Sequence, residues 1–229
     1  SSEISPHLFF PEAKLAFHPD RASDADLHPL RGLLRFGPYS SGLVPDPIRI
    51  ATIAPARQGN RLYGFMKELA FQYKPTERKD YLPPFNLDMR GAVKDCHIEL
   101  DDRLDGEMKD SVTPHVVLAD RLLRAIRSLE ARRDAFDIVF IYIPQSWAAG
   151  FTGADGDDFD LHDHLKAATA ARRIPIQLVR EDRALAYPDR ASVMWRIGLA
   201  IYAKAGGIPW KLADSDPEAA YIGLSYGLR

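Results

Sequence analysis

The segment FDIVFIYIP (136–144) constrains the fold of this 229-residue chain more than any other. It is apolar at successive positions, so a strand built from it must be covered on both faces, as happens at the centre of a parallel sheet between two helix layers. IRIATIA (48–54) and IPIQLVRE (174–181) read as further strands, and Cys96–Leu100 as a weaker one. Helical periods fall between them. Leu62, Phe65, Met66 and Leu69 recur at three and four within 59–73. A helix of about 20 residues opens at Thr113-Pro114, with Thr113 as cap and Pro114 at the first helical position. Its buried stripe is Leu118, Leu122, Ile126 and Leu129, and Arg121, Arg124, Arg127, Arg132 and Arg133 fall on its outer side. Helices are also expected over 160–172 and 190–205, the last stopping at Gly206-Gly207. Strands alternating with helices imply a mostly parallel sheet flanked by helices, a Rossmann-like α/β fold.

The remainder divides by composition. Residues 1–45 form an irregular N-terminal lead, with a short strand at Lys14–His18, a helical turn, and turn chemistry at Gly37-Pro38-Tyr39. Residues 73–91, 103–113 and 145–160 are connectors, and YIGLSYG (221–227) is a final strand. The net charge is −2, from 30 basic and 32 acidic side chains. Proteins that coat nucleic acid by charge alone are more basic, so any such contact must be a local pocket. The single cysteine, Cys96, excludes an internal disulfide and a multi-cysteine zinc site. A reducing cytoplasm is expected, since the start lacks a signal peptide's basic head and apolar core. No apolar run approaches the roughly 18–20 residues that span a bilayer.

Four side chains in the last third suggest an anion site. His162 and Lys166 are four apart, hence on one face of the helix 160–172. Gln177 lies on the next strand, and Lys204 in the last turn of the following helix. Open α/β sheets bind ligands where the strand order reverses, and a helix N-terminus there favours an anion. Two cations, an amide and a helix N-terminus make a cage for a phosphate monoester. Asp155, Asp157, Asp158, Asp160 and Asp163 crowd the same entrance. They must point to solvent or hold a divalent cation.

The order His162, Lys166, Gln177, Lys204, followed by GGIPW (206–210), resembles the 5′-phosphate pocket of the Argonaute MID domain. KAGGIPWKL (204–212) leading to YIGL (221–224) is similar to the passage from MID into the first PIWI strand, and FGPYSSG (36–42) to the N-terminal part of short prokaryotic Argonautes, which lack the PAZ domain. The resemblance implies a lead segment (1–45), a MID domain (46–212) and the truncated start of a PIWI domain (213–229). It implies a small guide RNA, with DNA left open, held by its 5′-phosphate and paired with target DNA in defence against plasmids or phage. It also implies a partner effector protein, often NAD-consuming, with an Argonaute-associated domain. Nuclease-active relatives carry an aspartate where this chain has Ser225, so no cutting is expected. Mg²⁺ at the guide phosphate is implied as well, but relatives use the PIWI C-terminal carboxylate to hold it, so the site is expected to be incomplete here.

Two other readings stand beside this one. Asp160, His162, Asp163 and His164 give half of a metal site, which would suit a metal-dependent α/β phosphohydrolase or nucleotide-binding enzyme with its centre near Asp157–His164. The third is an interaction domain without a ligand. Neither glycine-rich phosphate-loop fingerprint occurs, Ser146 lacks a nucleophile-elbow frame, and adjacent Cys96-His97 have poor geometry for a nucleophile and base.

Overall fold

The computed structural model describes residues 12–70, 87–153 and 157–214. The strand expected over 221–227 lies outside them, as does most of the 73–91 connector. In chain order the first elements are β1 (Leu15–Ala16), β2 (Ala25–Asp26), α1 (Pro29–Phe36), β3 (Ile48–Pro55), α2 (Gly59–Ala70), β4 (Met89–Gly91) and β5 (His97–Leu100). Then follow α3 (Arg103–Asp110), α4 (Pro114–Ser128), β6 (Ile138–Ile143), α5 (Leu161–Ala170), β7 (Ile176–Arg180), α6 (Arg190–Lys204) and β8 (Lys211–Leu212). Two compact units result: 42–207, and 1–41 with 208–229. Among the described residues, no helix is long and apolar enough to cross a membrane.

The larger unit is the expected parallel sheet flanked by helices. Its order is β4-β3-β6-β7, with β5 pairing β3 further along the same side as β4, and every pairing is parallel. All six residues of β6 are buried. Val139, Ile141 and Ile143 meet Leu118, Leu122 and Leu165 of α4 and α5 on one face. Ile138, Phe140 and Tyr142 meet Leu62, Phe65, Met194 and Ile201 of α2 and α6 on the other. Helices α5 and α6 therefore lie on opposite faces and straddle β7, the edge strand among the described residues.

One ion pair fixes the start of the two central strands. Arg49 on β3 donates through its backbone N–H to Asp137 Oδ2 at 2.7 Å and through Nη2 to Oδ1 at 2.8 Å. The Asp137 N–H returns a bond to the Arg49 carbonyl at 2.8 Å. A one-residue slip of β6 against β3 would exchange its two faces and break all three bonds.

The structure corrects several element boundaries. The stretch 103–113, expected as loop, contains α3. Its two buried residues, Leu104 and Met108, are four apart, which gives one apolar stripe too thin to stand out in RLDGEMKD. Gly150 is the close-approach point beneath it: a Cβ there would lie 2.6 Å from Leu118 Cδ2 and 3.0 Å from Met108 Cε. The connector 145–160 begins with a 3₁₀ turn, Gln145–Gly150, whose buried Trp147 donates Nε1–H to Asp105 Oδ1. Helix α4 is shorter than expected. The Ser128 hydroxyl donates to the Ala125 carbonyl, and the chain tightens into a 3₁₀ stretch, Glu130–Ala135. β4 falls in the segment expected as connector.

The smaller unit has a short antiparallel sheet, ordered β2-β1-β8. The lead is less irregular than expected, because α1 is an eight-residue helix opened by Pro29. Gly32 lets α1 rest on the buried Phe17 ring, which a Cβ would enter at 2.1 Å. Phe36 and Trp210 flank Phe17 with ring centroids 6.1 and 6.4 Å away.

Burial pushes the Asp137 carboxyl up, but the Arg49 hydrogen bonds and charge outweigh it and the net shift is downward. Stability from this group is present above the unfolded value of about 3.9 and is lost as pH falls below it. Asp137→Asn should cost about 2 kcal/mol at pH 7, and less as pH falls below 4, in urea unfolding at both pH values.

Candidate functional site

A cavity of about 670 Å³ runs along the outer edge of β7 between the flanks of α5 and α6. His162, Lys166 and Ala170 face it from one face of α5, and Arg173 from the turn that ends the helix. Arg196, Ala200 and Lys204 face it from α6, again every fourth residue. Ile176, Gln177 and Leu178 of β7 form the floor. The structure thus brings together all four residues expected from the sequence. It adds Arg173 and Arg196, which sequence reasoning missed. Counting back in fours from Lys204 would have found Arg196.

The charge balance of this cavity is lopsided. Four Lys/Arg side chains and a histidine line it, and no carboxylate does among the described residues. Most arginines elsewhere are matched to acids, such as Arg190 with Glu68 at 2.6 Å and Arg172 with Glu130 at 2.6 Å. Lys166, Arg173 and Arg196 have no ion pair among the described residues. Lys204 Nζ donates to Gln177 Oε1 at 2.6 Å, and Gln177 Nε2 donates to the Leu178 carbonyl at 2.9 Å. That second bond caps an acceptor on the free edge of the strand. Lys204 is exposed along its length. Its ammonium end is crowded by protein and faces Lys166; desolvation first, and that like charge second, pull its pKa to about 8.

The cavity is not where fold-level reasoning put it. The strand order reverses between β3 and β6, and beyond their carboxyl ends the Glu181 carboxylate accepts the Gln145 N–H at 2.9 Å and pairs with Arg61 at 3.2 Å. The N-terminus of α5 is also served by the protein itself, since Asp160 caps it by accepting the Asp163 N–H at 3.1 Å. The cations gather on the flank of α5 instead.

The acidic residues at the entrance have structural partners. Asp157 lies 3.3 Å from His115 Nε2 and accepts the Phe159 N–H. Asp163 Oδ1 is 3.0 Å from His162 Nδ1. Asp155 lies outside the described residues. Asp160, His162 and Asp163 place ligand atoms within 4.8 Å of one another. His164 turns away to the Phe159 ring at 5.2 Å, so the set expected over Asp157–His164 divides in two. Magnesium wants octahedral oxygen ligation. The cavity offers ammonium, guanidinium and imidazole groups, and its one side-chain amide oxygen already accepts from Lys204. These residues do not fit a magnesium ion.

Two conformational details complete the site. Arg173 adopts φ 53°, a left-handed backbone. The Arg173 N–H bonds to the Ala170 carbonyl and the Ile174 N–H to the Thr169 carbonyl, the closing pattern of a helix stop where glycine is usual. A second cavity of about 420 Å³ adjoins the first and shares His162, Gln177, Leu178, Arg196 and Ile197 with it. It adds Arg180, Arg183 and the exposed Tyr187.

Among solved structures, the chain is similar over 91% of its length to 23% of Drosophila Piwi, with a TM-score of 0.48 and 16% identity. It is similar over 88% of its length to 25% of Aquifex aeolicus Argonaute, with a TM-score of 0.44 and 17% identity. The chain spans about a quarter of the length of each. No family model matches it, and no curated protein sequence does.

Two predictions follow from the geometry. The unfolded chain holds the Lys204 proton up to about 10.5, whereas the folded protein releases it near 8. Crowding of the charged form therefore destabilises the fold below pH 8, and the penalty fades between 8 and 10.5. Lys204→Met should raise the urea midpoint at pH 7 and lose that advantage by about pH 10.5. Arg173→Gly should stabilise by about 0.5–1 kcal/mol, since glycine removes the left-handed strain but gains unfolded-state freedom; the urea midpoint reads this too.

Proposed function

We propose that the cavity holds the 5′-terminal phosphate of a nucleic-acid strand, as the MID domain of a short prokaryotic Argonaute holds its guide. The observation that carries this reading is the convergence of four cations on one cavity that no carboxylate among the described residues lines, in a chain whose net charge is −2. A dianion between Lys166 and Lys204 would relieve the repulsion between the two ammoniums and draw a proton onto Lys204. His162, exposed at the cavity, stacks on the first base in this reading. Arg196 is shared by both cavities and hands the strand on to Arg180 and Arg183.

In this reading the bound strand is a guide, RNA or DNA, that pairs with target DNA. The wider role is defence against plasmids or phage, and a partner effector, NAD-consuming in the family the sequence resembles, supplies the destructive activity. The chain itself is a binding module that cuts nothing, with Ser225 in place of the nuclease aspartate. The phosphohydrolase reading has only the exposed cluster of Asp160, His162 and Asp163 behind it, and no carboxylate among the described residues lines the cavity itself.

The test is fluorescence anisotropy of one short RNA and its DNA counterpart, each with a 5′-phosphate or a 5′-hydroxyl. The phosphorylated strands should bind about tenfold or more tightly. Lys166→Ala and Lys204→Ala should abolish that preference, while Asp160→Asn should leave it. Equal binding of the two ends would overturn the reading. Affinity for the phosphorylated strand should also weaken as pH rises past 8, because binding takes up the proton that Lys204 has released.

A further inference from the structure

We infer that the site is built for a 5′-polyphosphate: the groove beside β7 continues past the proposed phosphate position to a second anion-binding group, Arg173, on the side away from the strand. This inference rests on the reading above, and it changes the class of nucleic-acid end the site selects.

Strand β7 runs Ile176, Gln177, Leu178 and on to Arg180, and each residue has its cationic neighbours. Gln177 meets Lys204, with Lys166 close enough to shift it. Leu178 shares both cavities with His162 and Arg196. Beyond Arg180 come Arg183 and Tyr187. A nucleic-acid backbone leaving the Lys166–Lys204 notch therefore has a basic, aromatic-bearing path in one direction only. In the other direction the cavity does not end at the notch. It extends to Thr169, Ala170, Arg173, Ile174 and Pro175. A terminal monophosphate leaves that half empty.

Arg173 closes the empty half. It stands seven residues beyond Lys166, the first four within α5, about 6 Å along its axis, and the rest in the turn that ends it, an interval that two further phosphates and an arginine side chain can bridge. It has no ion pair among the described residues. It also occupies the left-handed helix-stop position that glycine fills at no steric cost. A strained backbone at a ligand cavity is where functional constraint is sought. The Arg173 carbonyl accepts from Arg133 Nε at 3.1 Å, so the backbone that aims this side chain is braced from α4's exit. A triphosphate carries more charge than Lys166 and Lys204 neutralise, and Arg173 supplies the missing cation at the end where the β- and γ-phosphates would lie.

The chemistry recognised is a 5′-triphosphate, from a strand end or a free nucleotide. The experiment compares one RNA with a 5′-hydroxyl, a 5′-monophosphate or a 5′-triphosphate, on the wild type and on Arg173→Gly, with ATP as competitor. The triphosphorylated RNA should bind on the order of tenfold more tightly than the monophosphorylated RNA. Arg173→Gly should weaken the triphosphate far more than the monophosphate and so bring the two level. Glycine suits the left-handed backbone, so this variant keeps the fold, and its urea midpoint verifies that. Weaker binding of the triphosphate than the monophosphate, or an equal loss for both in Arg173→Gly, would overturn the inference. Equal binding of hydroxyl and monophosphate ends would instead defeat the underlying reading, so the two failures are distinguishable. ATP competing as well as the triphosphorylated strand would support the polyphosphate site with the free nucleotide as its source. No competition would support it with the strand end.

Discussion

The burial of β6 on both faces is the constraint from which the rest follows. Six consecutive apolar residues with no exposed face need a strand on each side and a helix layer above and below. β3 and β7 supply the neighbours. Once α5 has packed on one face with α4, and α6 on the other with α2, the two helices overhang the last strand from opposite sides. The groove between them is a by-product of covering β6. What the sequence adds is the chemistry of its walls, through residues on each helix that do not belong to the core stripe.

This origin explains why the site lies at the sheet's edge. The crevice at the strand-order reversal is occupied by the protein's own carboxylate, Glu181, which ties the residues following β6 and the start of α2 to the end of β7. The α5 N-terminus is likewise occupied by Asp160. Both of the general anion sites of an α/β fold are thus satisfied internally, and the unmatched positive charge is left to the helix flanks. Lys204 records the cost of that arrangement, because desolvation of its ammonium, and second the like charge of Lys166, pull its pKa down to about 8.

The architecture was legible where side-chain period and burial agree, as in β3, β6, β7 and the apolar stripes of α2 and α4. It was not legible where an element buries one residue per turn. α3 contributes only Leu104 and Met108 to the core, and its polar remainder reads as loop. The four expected pocket residues are brought to one cavity because His162 and Lys166 share a helix face, and because the chain reversal after β7 returns α6 antiparallel to it. Arg173 escaped notice for a different reason. Its role depends on a left-handed backbone at a helix stop, and nothing in AARRIPI marks that position as anything but the end of a charged helix. Arg196 escaped because one arginine on an amphipathic helix looks solvated until its neighbour across the groove is known.

Among the described residues one side of β7 is open, and this has a consequence for self-association. An unpaired edge strand offers its backbone to any other chain with an edge of its own, and natural sheets guard against this with charge. Here the guard is Lys166, Arg173, Arg196 and Lys204, which project past the strand from both overhanging helices. Two copies approaching edge to edge would bring like charges together before the first ladder bond formed. The same side chains that leave the groove hungry for an anion therefore keep the sheet from growing, and an anion seated among them would lower that barrier while physically filling the space a second strand would need.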